Sequence, residues 1–351
     1  MSRPGEDVVA LEREITEFQR RAALCAATLA RLPPVTLGSC ERDVVQREDK
    51  VTLYRYRSRA RPAGLPPLLI VFALVNRPTV LDLQPDRSLI RGLLDAGLDV
   101  YLLDWGSPDR ADRELTLADY VLGYLHRALA RVAADHGAVD LLGVCQGGTL
   151  SLMYASLEPA RIRRLVTMVT PVDFHTPENL LSKWARGLEV ERLVATFGNV
   201  PGELLNFTFL SLLPFRLTLH KYLALVDGAD DPAALANFLR MEQWIFDSPD
   251  QAGAAFGEFV TGLYQQNRLA AGTFELAGRR VDLKDVSMPV FNIYATQDHL
   301  VPPSAARPLA RLVGTNRYEE LAFEGGHIGI YVSSRARALP AAIARWLARP
   351  A

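Results

Sequence analysis

Three residues in this sequence have types and spacing that suit nucleophilic chemistry: Cys145, Asp298 and His327, in that order along the chain. Cys145 stands in Gly143-Val144-Cys145-Gln146-Gly147, between a run that reads as a buried strand (VDLLGV, 139–144) and one that reads as a helix. A sharp strand-to-helix turn of this kind holds a nucleophile clear of its neighbours, and the pattern is that of a nucleophile elbow with cysteine in place of serine. Side chains two residues before and after the nucleophile would clash in so tight a turn, which is the use of Gly143 and Gly147. The nucleophile itself must take a strained backbone conformation. Gly148 adds another small residue where helix and strand approach. The start of the following helix carries positive potential, which favours a thiolate.

A thiol needs a base, and a base needs an orienting partner. On doubly wound sheets the order is nucleophile, acid, histidine. Asp298 ends the strand-like run PVFNIYATQD, and His327 lies in the loop FEGGHIGIY, where Gly325 and Gly326 let the chain bend back. Both fall after strands, on the edge where Cys145 emerges. Of the other histidines, His126 and His136 lie on or after the helix before the elbow. His175 and His220 fall in a later insert, and His299 adjoins the acid. None of these follows the last strand. Asp104, at the end of LDVYLLD, is the rival acid. It precedes the nucleophile, so a structural role beside Trp105 suits it better. In the expected mechanism His327 takes the thiol proton and Asp298 orients the imidazole. The oxyanion donors are the backbone N–H of Gln146 and one from the loop after 68–75, at Val75 or Asn76. Cysteine holds an acyl group as a thioester, so loading from another thioester is nearly thermoneutral and transfer to an alcohol runs downhill. That favours acyl transfer over hydrolysis. A cysteine-type hydrolase (thioesterase, lactone hydrolase or depolymerase) stays open, whereas the intact triad argues against an inert scaffold of the same fold.

The elements that must position these groups are legible as periodicity. LLIVFALV (68–75), LDVYLLD (98–104), VDLLGV (139–144), RLVTMVT (164–170) and PVFNIYA (289–295) are continuous apolar runs, as expected for strands covered on both faces. Helical spacing over 86–96, 117–135 and 148–157 lies between the first four. A helix near 304–313, a strand at 317–323 and a helix at 335–348 close the chain. This alternation predicts an α/β class fold, a mostly parallel doubly wound sheet. The first 32 residues read as a helix with apolar Val9, Leu11, Ile15, Phe18 and Ala22, ended by Pro33-Pro34, and 50–57 as a half-exposed strand. From Pro171 to Asp285 the alternation stops in favour of helical spacing with many aromatics, including Trp184, Phe207, Phe215, Trp244 and Phe246. The expected organisation is an N-terminal helical segment (1–45), a core formed by 46–171 and 286–351, and a mainly helical cap inserted at 172–285. Core packing is the default role for the cap aromatics.

With 351 residues, 49% hydrophobic, the chain can bury a large core. A formal charge of -1 and a pI near 6.6 give no basic excess for nucleic acid. Cys25, Cys40 and Cys145 are too few and too widely spaced for a disulfide framework or zinc site, so a reduced, cytoplasmic setting is expected. The charged start, MSRPGEDVVALEREITEFQRR, lacks the apolar stretch of a signal peptide. The longest apolar run is far short of the roughly 20 residues that span a bilayer.

From about Gln46 to the last helix, the chain resembles the catalytic subunit of class III polyhydroxyalkanoate synthases, α/β-hydrolase-like enzymes. The segments that carry the resemblance include VYLLDWG, LLGVCQGG, TMVTPVDFHTPENLL, FLRMEQWIFDSPDQAG, RRVDLKDVSMPV, QDHLVPP and FEGGHIGIYVS. The resemblance implies polymerisation of (R)-3-hydroxyacyl-CoA, typically 3-hydroxybutyryl-CoA, into polyester with release of CoA. The family's Cys–Asp–His triad maps onto Cys145, Asp298 and His327, its Asp often being assigned to activating the incoming hydroxyl. His299 completes an Asp-His pair and is a candidate accessory residue. The CoA thioester is the substrate and no cofactor or metal is implied. A second, non-catalytic subunit, self-association as a homodimer or hetero-oligomer, and a cytoplasmic polyester granule are implied partners. The class IV synthases are similar, with a different partner, and CQGG, TPVDF and SPDQAG lean toward class III. One departure is Asn76-Arg77-Pro78-Thr79, where the family often reads Asn-Arg-Tyr-Tyr. It bears on the second oxyanion donor and on monomer preference.

Overall fold

A computed structural model describes residues 4–58, 60–61 and 63–350. Its centre is an eight-stranded sheet: β1 (Arg42–Glu48), β2 (Val51–Tyr56), β3 (Leu68–Val71), β4 (Val100–Asp104), β5 (Asp140–Val144), β6 (Arg164–Met168), β7 (Val290–Ala295) and β8 (Tyr318–Phe323). The spatial order is β1-β2-β4-β3-β5-β6-β7-β8. β2 runs antiparallel to β1 and β4, and all other neighbours are parallel, with Val71 opposite Gly143 and Gly143 opposite Thr167. The inner strands are apolar at almost every position because both faces are covered. Successive side chains point to opposite faces. Leu69, Val71 and Leu141 therefore meet helices 117–136 and 146–157, while Leu68, Ile70 and Leu142 meet helices 89–95 and 339–347. Each such fully buried leucine or isoleucine contributes about 1.5–3 kcal/mol over leaving it exposed.

Three elements differ from the periodicity. The expected helix over 86–96 starts only at Leu89, because 82–84 and 87–88 pair as a short hairpin and Ser88 caps the helix by accepting from the Arg91 amide at 2.9 Å. The helix expected near 304–313 is two single turns, Pro303–Ala306 and Leu309–Leu312. Pro308 between them cannot donate and clashes with the preceding turn. The segment read as helical over 117–135 begins with a π-helical stretch, Asp119–Leu125, before the α-helix His126–His136.

The inserted segment divides into two parts. Residues from Ala252 onward pack with the sheet: Ala252, Ala255, Phe259, Leu263 and Phe274 share an apolar cluster with Leu69 and Leu141. This part also holds a small antiparallel hairpin, Phe274–Leu276 with Arg279–Val281. The preceding helices, from Leu180–Ala185 to Pro232–Phe246, form a roof above the strand ends. Of its aromatics Trp244 is core, as expected, but others are not: Phe207 is 69% exposed and Phe215 73%, and Trp184, Phe197 and Phe246 are also exposed. Trp184 is exposed and yet lines the cavity, as do Leu188 and Leu204, so part of this exposure is to the cavity itself.

The N-terminal helix, Pro4–Arg31, is fastened to this roof. Cys25, Ala229 and Leu235 form a small buried cluster. Arg21 donates to the Asp227 carbonyl, and Thr28 Oγ1 is 3.4 Å from the Ala229 carbonyl. The apolar residues Val9, Leu11, Ile15 and Phe18 are exposed. Among the described residues no single helix is long and apolar enough to cross a membrane.

Candidate active site

The C-terminal ends of β3, β5, β7 and β8 converge under the roof. Cys145 directly follows β5 and caps the helix Gln146–Leu157 with φ 54° and ψ -125°. This sparsely populated conformation costs on the order of 1–3 kcal/mol. Its amide donates to the Met168 carbonyl at 2.9 Å, and its carbonyl accepts from the Gly148 amide at 2.9 Å. The elbow leaves no room for side chains. A Cβ on Gly143 would lie 2.5 Å from the Cα of Gly148, and one on Gly147 would lie 2.3 Å from the Val71 carbonyl oxygen.

Asp298 follows β7 and is 5% exposed, as is His327 in the loop after β8. Asp298 Oδ1 accepts from the amides of Leu300 and Val301, both at 2.9 Å, which fixes the carboxylate. Oδ2 is 2.6 Å from His327 Nδ1. Cys145 lines the same cavity as the imidazole and is close enough to act on its charge. Burial pulls the His327 pKa down, but the Asp298 carboxylate and then Cys145 outweigh it and hold the imidazole well above its ordinary value. The result is a stronger base beside the thiol. The sequence-selected His and Asp are therefore joined by a hydrogen bond, and the His shares its cavity with the half-buried Cys145.

His299, half-buried, faces the same cavity. Burial holds its pKa below the ordinary value, with Asp298 opposing and His327 and Arg216 adding to the depression. Asp104 stays away from the triad and accepts from the Gly106 amide at 3.1 Å, while Trp105 Nε1 donates to the Phe72 carbonyl at 2.9 Å. His126 pairs with Tyr154, His136 with Tyr101, and His175 with the Tyr264 carbonyl.

As the first residue of its helix, Gln146 has an amide with no partner four residues back. Its side chain, which sequence reasoning passed over, ties down the facing loop: Oε1 accepts from the Leu74 amide at 3.0 Å. That bond engages Leu74, while Phe72, Ala73, Val75 and Asn76 of the same loop line the cavity that holds Cys145. Asn76 sits at φ 60°, a left-handed conformation asparagine tolerates. Its Nδ2 donates to Ser248 Oγ at 2.6 Å, and Trp244 Nε1 donates to the Arg77 carbonyl at 2.7 Å. Pro78 opens a single 3-10 turn, Pro78–Leu81, where its missing N–H is harmless. The departing segment Asn76-Arg77-Pro78-Thr79 thus joins the oxyanion-side loop to the roof.

The cavity over Cys145 measures about 480 Å³ and is lined mainly by apolar groups, among them Phe72, Leu205, Phe209, Ile245, Val260 and Tyr264. Tyr264 and Tyr331 are wall residues that the sequence reading did not single out. Tyr331 had one available signal, its place four residues after His327.

Thiol alkylation tests the triad without any substrate. Cys25 is buried, and burial with the nearby Asp82 pushes the Cys40 thiol up to about 11, so Cys145 dominates the reaction at neutral pH. His327→Gln is expected to slow iodoacetamide alkylation of Cys145 by about tenfold at pH 7. Asp298→Asn removes the charge that strengthens His327, so the midpoint of the alkylation–pH curve is expected to rise by about one pH unit. Unchanged curves in both variants would separate the thiol from this base.

Residues 66–334 match the family described as alpha/beta hydrolase fold. A solved alpha/beta hydrolase fold protein from Chitinophaga pinensis superposes with a TM-score of 0.51 at 13% identity, covering 89% of this chain and 99% of that one. The "Poly(3-hydroxyalkanoate) polymerase subunit PhaC" of Allochromatium vinosum is 53% identical over 345 residues, covering 96% of both chains. The protein of the same name from Thiocystis violacea is 51% identical over 344 residues, again covering 96% of both. The chain belongs to the α/β hydrolase fold and, within it, to the family of poly(3-hydroxyalkanoate) polymerase PhaC subunits.

Proposed function

We propose that this chain is the catalytic subunit of a polyhydroxyalkanoate synthase, an acyltransferase that joins (R)-3-hydroxyacyl units from CoA thioesters into a polyester. The monomer we assign is 3-hydroxybutyryl-CoA. The observation that carries the mechanism is the buried Asp298–His327 hydrogen bond of 2.6 Å, with His327 and Cys145 lining one largely apolar cavity. His327 takes the Cys145 proton, and the sulfur attacks the CoA thioester carbon. The carbon–sulfur bond to CoA breaks, the proton passes to the departing CoA sulfur, and the acyl group rests on Cys145. The N–H groups of Gln146 and Val75 receive the oxyanion. In the elongation step an incoming hydroxyl gives its proton to His327, and its oxygen attacks the acyl carbon, replacing sulfur. The CoA thioester is the substrate, and the cycle uses no other cofactor.

Two features support a polymer over a free acid. An apolar cavity disfavours water at the acyl-enzyme, and its volume exceeds what one four-carbon unit fills. The reading extends to a cytoplasmic enzyme at the granule surface, working with a second, non-catalytic subunit and self-associating. The deciding assay supplies 3-hydroxybutyryl-CoA to the purified chain, alone and with its partner subunit. Release of CoA together with insoluble polyester is the expected result. CoA appearing with only free 3-hydroxybutyrate would make the chain a thioesterase.

A further inference from the structure

Among the described residues, the Tyr331 hydroxyl is one of few buried side-chain oxygens with no hydrogen-bond partner. A buried unsatisfied hydroxyl costs on the order of 1–3 kcal/mol, and such groups need a reason to persist. Phenylalanine would keep everything the ring does here. Tyr331 is 2% exposed, shares an apolar cluster with Val80 and Leu81 of the 3-10 turn and with Val144 at the end of β5, and its ring stands edge-on to the His327 imidazole with centroids 6.3 Å apart and an interplanar angle of 89°. The hydroxyl adds nothing to that packing.

Its surroundings suggest a use. Tyr331 forms part of the wall of the cavity over Cys145. The phenol is also within the electrostatic reach of Cys145 and Asp298. Burial first, then these two groups, hold its pKa well above the ordinary value. It is therefore a neutral donor with its proton unspent, beside the base of the triad.

Two substrate oxygens could meet such a donor: the acyl carbonyl oxygen and the hydroxyl that attacks it. The carbonyl oxygen has backbone donors at Gln146 and Val75 in the reading above. The attacking hydroxyl must lie within hydrogen-bond reach of His327, because that imidazole takes its proton. A hydroxyl oxygen has two lone pairs: one attacks, and the other is free to accept. A side chain resting on His327 is placed for that second lone pair.

Resting on the synthase reading, we propose that Tyr331 is a substrate-positioning residue that donates a hydrogen bond to the incoming 3-hydroxyl group during chain elongation. In that step the hydroxyl oxygen forms a bond to the acyl carbon on Cys145, and the carbon–sulfur bond breaks. The hydroxyl proton passes through His327 to the departing Cys145 sulfur. Tyr331 keeps its own proton throughout and fixes the angle of attack.

The test is Tyr331→Phe in the synthase with its partner subunit, read as two phases of CoA release from 3-hydroxybutyryl-CoA. Loading of Cys145 needs no attacking hydroxyl, so the initial burst of CoA, one per site, is expected to keep its rate and size. Steady-state release, which reports elongation, is expected to fall roughly 5- to 20-fold, the range for one lost hydrogen bond. Cys145 alkylation is expected to stay at the wild-type rate, and the melting temperature to hold or rise, because an unsatisfied group has been removed. Equal losses in burst and steady state would place Tyr331 on the carbonyl or the triad and overturn the proposal. So would an unchanged steady state, or a slowed alkylation. Failure of the synthase reading is a separate outcome, seen in the wild type as CoA release without polymer.

Discussion

Cys145→Ala is expected to release no CoA above background, a loss of at least about a thousandfold, while the fold and melting behaviour persist. The magnitude follows from the chemistry. Without sulfur there is no acyl carrier, and the remaining oxyanion donors and His327 cannot form a covalent intermediate. Removing a nucleophile from a triad typically eliminates nearly all that the triad contributes, because its members act as a unit. The fold should tolerate the change, since the thiol is only half-buried and the substitution removes a single heavy atom. Alanine also leaves the backbone strain at position 145 in place, so no relaxation of the elbow confuses the result. The check is CoA release from 3-hydroxybutyryl-CoA beside a thermal melt. A folded variant that still makes polymer would remove Cys145 from the mechanism.

Gly147→Ala is expected to be the most damaging single-methyl change in the molecule's site. The added carbon would lie 2.3 Å from the Val71 carbonyl oxygen and 2.4 Å from that of Phe72. Both are backbone atoms at the end of β3, a fully buried central strand. No side chain can swing away, so the strand end or the elbow must shift. Overpacking of this kind costs about 3 kcal/mol. The shift would also move the loop that carries Val75 and Asn76, so activity should fall more than stability alone predicts. Urea titration gives the first quantity, and CoA release well below the denaturation midpoint gives the second. A variant with wild-type stability would mean the elbow is looser than its contacts indicate.

Much of this architecture is legible in the sequence because strong local signals coincide with the global arrangement. The apolar runs at 68–75, 139–144 and 289–295 can be satisfied only by burial on both faces, and the glycines around Cys145 only by a close crossing of helix and strand. The positions of Asp298 and His327 follow from topology, since loops at the C-terminal ends of parallel strands share one edge. Elsewhere the sequence is ambiguous. Aromatic residues such as Phe207 and Phe215 look like core by composition, and nothing local says that their helices roof a cavity. The extent of the roof is equally hidden. Helical spacing continues past Ala252, yet the chain there returns to the sheet. The Gln146 side chain and the Tyr331 hydroxyl escape notice for a different reason: their significance lies in what they touch, or fail to touch, across long sequence separations.

The attachment of the first helix has a mechanical consequence. Residues 4–31 are clamped through Cys25, Thr28 and Arg21 to the segment around Leu225–Leu235, which leads into the helix carrying Trp244 and Ile245. Those two residues line the cavity that also holds the nucleophile. The N-terminal helix is thus a lever arm on the ceiling and not an appendage of the sheet. Displacing it would reach the cavity wall through the helix that carries Trp244 and Ile245.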